Sequence, residues 1–176
     1  MSGTMNIIQE MLLAEHSRRQ CDAIIQFVGN NRSRFRALLD CMCGENAVLS
    51  QRAAWPMSDI CIRHPKLVYE HIQSFLDEWI KPNRHPGIRR NITRIFEHIE
   101  IPESAAGTVL HHSFSMLEDP QEAIAVKAGC ITIFQKFTGP YPEIIPEFTF
   151  LLNNLKSTPA LKARQKRAFK ALKKKS

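Results

Sequence analysis

Glycine is scarce in this sequence: seven residues, dispersed along the chain, leave no glycine-rich loop to cradle a phosphate. There is no His-Glu-x-x-His, no Gly-x-Ser-x-Gly, no Walker loop and no Gly-x-Gly-x-x-Gly, so no motif nominates a metalloprotease, a serine hydrolase or a nucleotide-binding enzyme. No run of about 18 apolar residues is present to span a membrane, and no basic start leads into an apolar stretch and a small-residue cleavage site. Five cysteines (Cys21, Cys41, Cys43, Cys61, Cys130) make an odd, scattered set in a chain that needs no stapling. The expectation is a soluble, cytoplasmic protein with reduced thiols.

What the sequence does hold is ordinary in bulk. Its 176 residues, 44% hydrophobic and 23% charged, suffice for one domain with its own core. The formal charge of +7 is unevenly spread: Lys162, Arg164, Lys166, Arg167, Lys170, Lys173, Lys174 and Lys175 face no acidic residue after position 161 and outweigh that total alone. The body is electrically balanced.

Apolar residues recur at three and four, as in Leu67, Val68, Ile72, Phe75, Leu76, Trp79 and Ile80, while period-two alternation between hairpin turns is absent. Breaks at Asn30-Asn31, Gly44-Glu45-Asn46, His64-Pro65, Pro82-Asn83, Ile101-Pro102, Asp119-Pro120, Gly139-Pro140 and Thr158-Pro159 divide the chain into about ten helices of roughly 10–16 residues. Pro56 stands inside one of them and predicts a bend near Arg52.

The stretch Ile88-Arg-Arg-Asn-Ile92 aligns with Gln51-Arg-Ala-Ala-Trp55, Val126-Lys-Ala-Gly-Cys130 and Gln165-Lys-Arg-Ala-Phe169. A basic column (Arg52, Arg89, Lys127, Lys166) recurs at separations of 37, 38 and 39 residues. Beside it run a column of small or short residues (Ala54, Asn91, Gly129, Ala168) and an apolar one (Trp55, Ile92, Cys130, Phe169). A fixed period of one helical pair is the signature of stacked hairpins, none of which buries its apolar face alone. On these residues the chain resembles the HEAT/armadillo-type helical repeats over nearly its whole length. The resemblance implies an all-α fold, an α-α superhelix of about five stacked hairpins at 1–29, 30–63, 64–101, 102–139 and 140–176, forming one domain over 1–176 with a basic capping helix at about 159–175. A compact helical bundle is the competing arrangement. HEAT repeats often carry Asp six residues before the basic column; Asn46, Asn83 and Gln121 stand there instead, so any bond to the turn has to come from an amide.

Cys41, Cys43, Cys61 and His64 have the residue types of a zinc site, but an intervening helix on the order of 22 Å long separates the two pairs. No metal site is expected. His111-His112, Glu70-His71 and Glu97-His98 are adjacent pairs that diverge by about 100° on a helix. Some DNA-alkylation-repair glycosylases are built of HEAT-like repeats and use aromatic and acidic residues on a basic concave face. Trp55 and Asp59, four apart, suit that role, although the alignment puts Trp55 in the packing column.

The sequence therefore points to a non-catalytic, cofactor-free scaffold or protein-binding module. Its second helices are expected to line a concave face, with Arg52, Asp59, Arg63, Arg89, Arg90, Arg94, Lys127 and Lys136 as exposed contact candidates, joined by Lys166, Arg167 and Lys170 on the last helix. Nucleic acid, met through the basic surface, is the alternative partner. Arg18, Arg19, Arg32, Arg34 and Arg36 form a second basic area near the start.

Overall fold

The computed structural model describes residues 2–156 and 158–173. Eleven α-helices and a short 3-10 turn account for its regular structure, with no strand among the described residues. They fall into two compact units, residues 1–100 and 101–176.

The first unit holds α1 (Ser2–Ala14), α2 (Arg18–Val28), α3 (Arg32–Cys43), α4 (Ala47–Arg63), α5 (Pro65–Tyr69), α6 (Ile72–Ile80) and α7 (Pro86–His98). Its helices pair as antiparallel hairpins, the third having a first arm broken into α5 and α6. The second arms α2, α4 and α7 pack side by side, and α1 and α3 do the same behind them. Helix starts are set by side chains: Ser17, Asn31 and Asn46 each accept from backbone N–H groups of the first turn. Asn46 takes two such bonds, from Val48 and Leu49 at 3.1 Å each, so the amide standing where HEAT repeats place Asp does bond to its turn. Asn83, the next member of that column, adopts a left-handed backbone (φ 59°), which Asn tolerates better than most residues. Helix α4 runs on through the buried Pro56.

The core of this unit is aromatic and aliphatic: Phe35, Phe75, Trp79 and Phe96 are fully buried, with the Trp79 and Phe96 rings edge to face at 5.0 Å. Trp79 Nε1 donates to Thr93 Oγ1 at 2.9 Å, satisfying its one polar atom inside that core. Small residues at Ala53 and Ala54 let α4 approach its neighbours closely.

The second unit holds α8 (Glu103–Glu118), α9 (Ile124–Phe137), the 3-10 turn Pro142–Ile144, α10 (Ile145–Asn154) and α11 (Pro159–Leu172). Helix α9 packs against α8 on one side and α11 on another. Phe134 and Phe148 stack at 5.0 Å, and Val126, Ile131, Ile133, Leu161 and Ala168 complete the core. Tyr141 OH donates to Glu103 Oε1 at 2.6 Å, closing the turn before α10 onto the start of α8. The basic final helix ends at Leu172; Lys174 and Lys175, at the end of the sequence-predicted capping helix, lie outside the described residues.

Candidate functional site

A helix leaves its last carbonyl groups without intrahelical partners and with a partial negative charge, so a cation placed there is favourable. In the first unit arginines from later in the chain fill this need. Arg52 Nη1 donates to the carbonyls of Leu12 and Leu13 at 3.0 and 3.1 Å, at the end of α1. Arg84 reaches the carbonyls of Met42 and Gly44 at 2.7 and 3.0 Å, at the end of α3. Arg89 Nε donates to the Trp79 carbonyl at 3.1 Å, at the end of α6. Arg52 and Arg89, predicted as exposed contacts, thus hold the hairpins together. Arg84 also pairs with Glu78 at 2.7 Å, with both side chains largely withdrawn from water. Nothing in the repeat pattern singles out Arg84, because the residue stands in the loop between α6 and α7, outside the repeating columns.

A second network occupies the α2, α4 and α7 layer. Asp59, only 7% exposed, is held by Arg94 Nη1 at 2.6 Å and Arg18 Nη1 at 3.5 Å. Arg94 also donates to Ser58 Oγ at 2.7 Å, while the Ser58 hydroxyl proton is shared between the Trp55 carbonyl (2.9 Å) and Asn91 Oδ1 (3.1 Å). Asn91 Nδ2 donates in turn to the Gly87 carbonyl at 2.8 Å. Asn91, placed by its spacing among the small packing positions, therefore forms with Ser58 a polar bridge between α4 and α7. The Arg18 guanidinium lies 5.6 Å from the Trp55 ring centre, and His16 meets the same ring edge-on. Trp55 is only partly buried, which corrects its placement in the packing column.

Along α4, Trp55, Asp59 and Arg63 follow at four-residue steps, and Arg90 and Arg94 do so on α7. Arg63 and Arg90 are exposed and make no side-chain bond or ion pair among the described residues. The crevice between Trp55 and the α1–α2 turn measures only about 10 Å³. Such a space has room for about one water. The early basic area is already engaged: Arg19 pairs with Glu15, Arg32 with Glu70, Arg36 with Asp40, and Arg34 donates to the Phe27 carbonyl.

In the second unit, Lys127 is buried (8% exposed), contrary to the exposed contact expected from its register. Lys136 is half-buried on α9. Lys166, Arg167 and Lys170 are exposed on α11, where Gln165 instead turns inward and donates to the Leu152 carbonyl at 2.9 Å, at the end of α10.

The cysteines are set up for packing. Burial pushes the Cys21 and Cys43 thiols up to about 12 and Cys41 to about 11, and raises Cys61 well above its ordinary value. Among the described residues no three His, Cys, Asp or Glu side chains converge to hold a metal ion.

Successive α-hairpins with second arms packed side by side, repeating one register of charge and small residues, define an α-hairpin repeat protein. A family model for the HEAT repeat domain matches residues 8–172, and the chain belongs to that family. No curated protein and no solved structure matches it significantly. No helix among the described residues is long and apolar enough to cross a membrane.

Proposed function

We propose that the chain is a non-catalytic protein-binding module, and that in the first unit it meets its partner through the face formed by Trp55, Arg63 and Arg90. The observation that carries this reading is the partly exposed Trp55 beneath Arg18, on a surface braced by the Arg94–Asp59 pair. Tryptophan and arginine are the residues on which binding energy most often concentrates, and bracing lowers the entropy lost when a partner docks. Catalysis fits the same surface poorly. The Asp59 carboxylate is already engaged by two guanidiniums, and the crevice beside Trp55 has no room for a substrate.

The test uses the full chain with Arg63→Glu and Arg90→Glu together. Quantitative co-purification from cells is expected to recover at least one protein with the wild type that is lost with the double variant, at an unchanged melting temperature. Identical partner profiles for the two proteins would remove this face from consideration.

Nucleic-acid binding is the second reading, favoured by α11, a helix without an acidic residue on which Lys162, Lys166, Arg167 and Lys170 stand exposed, followed by the exposed Lys173 at its C-cap. It predicts binding to labelled duplex or single strands that weakens steeply as salt rises. Against it, the Arg18 and Arg94 charges at Trp55 are balanced by Asp22 and Asp59. A gel-shift titration without salt-sensitive association would dispose of it.

A further inference from the structure

Helix α11 packs on α9 and α10, and the three helices together hold almost no negative charge. Neither α11 nor α9 contains an acidic residue, and α10 contributes only Glu147, in its first turn. Lys162, Lys166, Lys170 and the C-cap Lys173 follow at steps of four, four and three residues, so they share one stripe about 16 Å long on the helix. All four are exposed, and their ammonium groups make no hydrogen bond or ion pair among the described residues.

Phe169 stands at the edge of that stripe, three residues after Lys166 and four before Lys173. With Gln165 and the four lysines it lines an open recess of about 630 Å³. Gln165 is buried and Phe169 partly so, whereas the lysines stand in water, so the amide and the ring form the floor and the ammonium groups the rim. The Gln165 amide already donates to the Leu152 carbonyl at 2.9 Å, which leaves the ring as the part of the floor that a ligand can use.

Cations without local compensation call for a polyanion, and the shape of the recess selects among polyanions. A flat bilayer meets the lysine rim before the ring, and the apolar side of α11 (Leu161, Ala168, Leu172) is turned into the core, where acyl chains do not reach it. An acidic protein segment meets the ammonium groups alone. A strand of nucleotides supplies anions and flat ring faces in regular alternation, the combination that a basic stripe with an aromatic beside it accepts. A duplex keeps its bases stacked inside, out of reach of a ring on the floor of the recess. Lysine is a point charge on a flexible stem, so it follows phosphates without reading bases.

We propose that the outer stripe of α11 binds single-stranded nucleic acid irrespective of sequence and sugar, with phosphates on Lys162, Lys166, Lys170 and Lys173 and a base stacked on Phe169. The inference rests on the nucleic-acid reading of α11 and is independent of the Trp55, Arg63 and Arg90 face in the first unit.

The test is fluorescence anisotropy of labelled probes with the full chain: deoxyuridine and uridine 12-mers, an abasic phosphate backbone of the same length, and a 12-base-pair duplex. Unlabelled strand, phosphatidylserine vesicles and polyglutamate serve as competitors. The two 12-mers are expected to bind alike, and about tenfold or more tightly than the abasic backbone or the duplex. The logarithm of affinity should fall with that of salt at a slope of about −3, as four phosphates at roughly 0.7 each require, and at about −1.5 in Lys166→Gln/Lys170→Gln. Phe169→Leu, which keeps an apolar side chain in place, is expected to retain helical content and to bind the 12-mers no better than the abasic backbone. The proposal is overturned if the abasic backbone matches the 12-mers, if one sugar alone binds, if Phe169→Leu binds as the wild type does, if the lysine variant keeps the full slope, or if vesicles or polyglutamate compete better than unlabelled strand. Duplex binding that equals strand binding sinks the single-strand inference and leaves the nucleic-acid reading of α11 standing. No salt-sensitive binding to any probe removes both, whatever the Arg63/Arg90 face captures.

Discussion

At the scale of single residues, the first unit turns charge into joinery. Arg84 contacts Glu78 and two carbonyls at once, so Arg84→Ala leaves a carboxylate buried with only Lys81, 3.3 Å away, to offset it. We expect a loss of about 2–4 kcal/mol by chemical denaturation. Arg84→Lys should recover less than half, because a single ammonium lacks the fork that spans three acceptors. The thiols give a second prediction. With Cys21 and Cys43 raised to about 12, the native chain should resist iodoacetamide at pH 8, and half-buried Cys43 should label ahead of Cys61 on mass analysis. The stability consequence has a definite sign. A thiol whose folded value lies above its ordinary 9.0 favours the fold fully below pH 9, and that contribution drains away as pH climbs from about 9 toward 12.

At the scale of helices, the starts are set by local caps and the ends by distant cations. Asn46→Ala removes a side chain that bonds two N–H groups at the start of α4, and about 0.5–2 kcal/mol of stability should go with it, read from urea midpoints at constant slope. The helices and their pairing were legible in the sequence because apolar spacing and Pro or Asn breaks act locally. The break of the third hairpin at Glu70-His71 was not, since Leu67 through Ile80 keeps one helical period across it. The site was less legible than the fold. Spacing identified Arg52, Arg89 and Lys127 as one column, yet whether each side chain meets a carbonyl, a carboxylate or a cavity depends on where another helix stops. Ser58 and Asn91 look interchangeable with small packing residues until α4 and α7 are brought side by side. Trp55 looked like core for the same reason, and is instead partly exposed, with His16 and Arg18 against its ring.

At the scale of the whole molecule, two compact units each carry their own buried aromatic centre: Phe35, Trp79 and Phe96 in one, Phe134 and Phe148 in the other. A fragment comprising residues 1–100 is therefore expected to keep a helical circular-dichroism spectrum and a cooperative melt; a featureless melt would show that its core needs the rest of the chain. Charge is also divided by region. The exposed basic residues of α11 have no acidic neighbour in their own helix, while those at the start of the chain are nearly all paired. Raising the ionic strength should thus affect any interaction of α11 more than the melting of the first unit, a difference that parallel binding and melting titrations would reveal.

The arginine joints have a temporal side. Leu13 waits for an arginine 39 residues further on, and Gly44 and Met42 wait for one 40 and 42 residues further on. As the chain leaves a ribosome, α1 emerges with its end open and is closed only once Arg52 arrives, by which time α3 is itself waiting for Arg84. The first two hairpins are each finished by their successor, so a stall in synthesis before Arg52 or Arg84 emerges leaves a helix end unsealed.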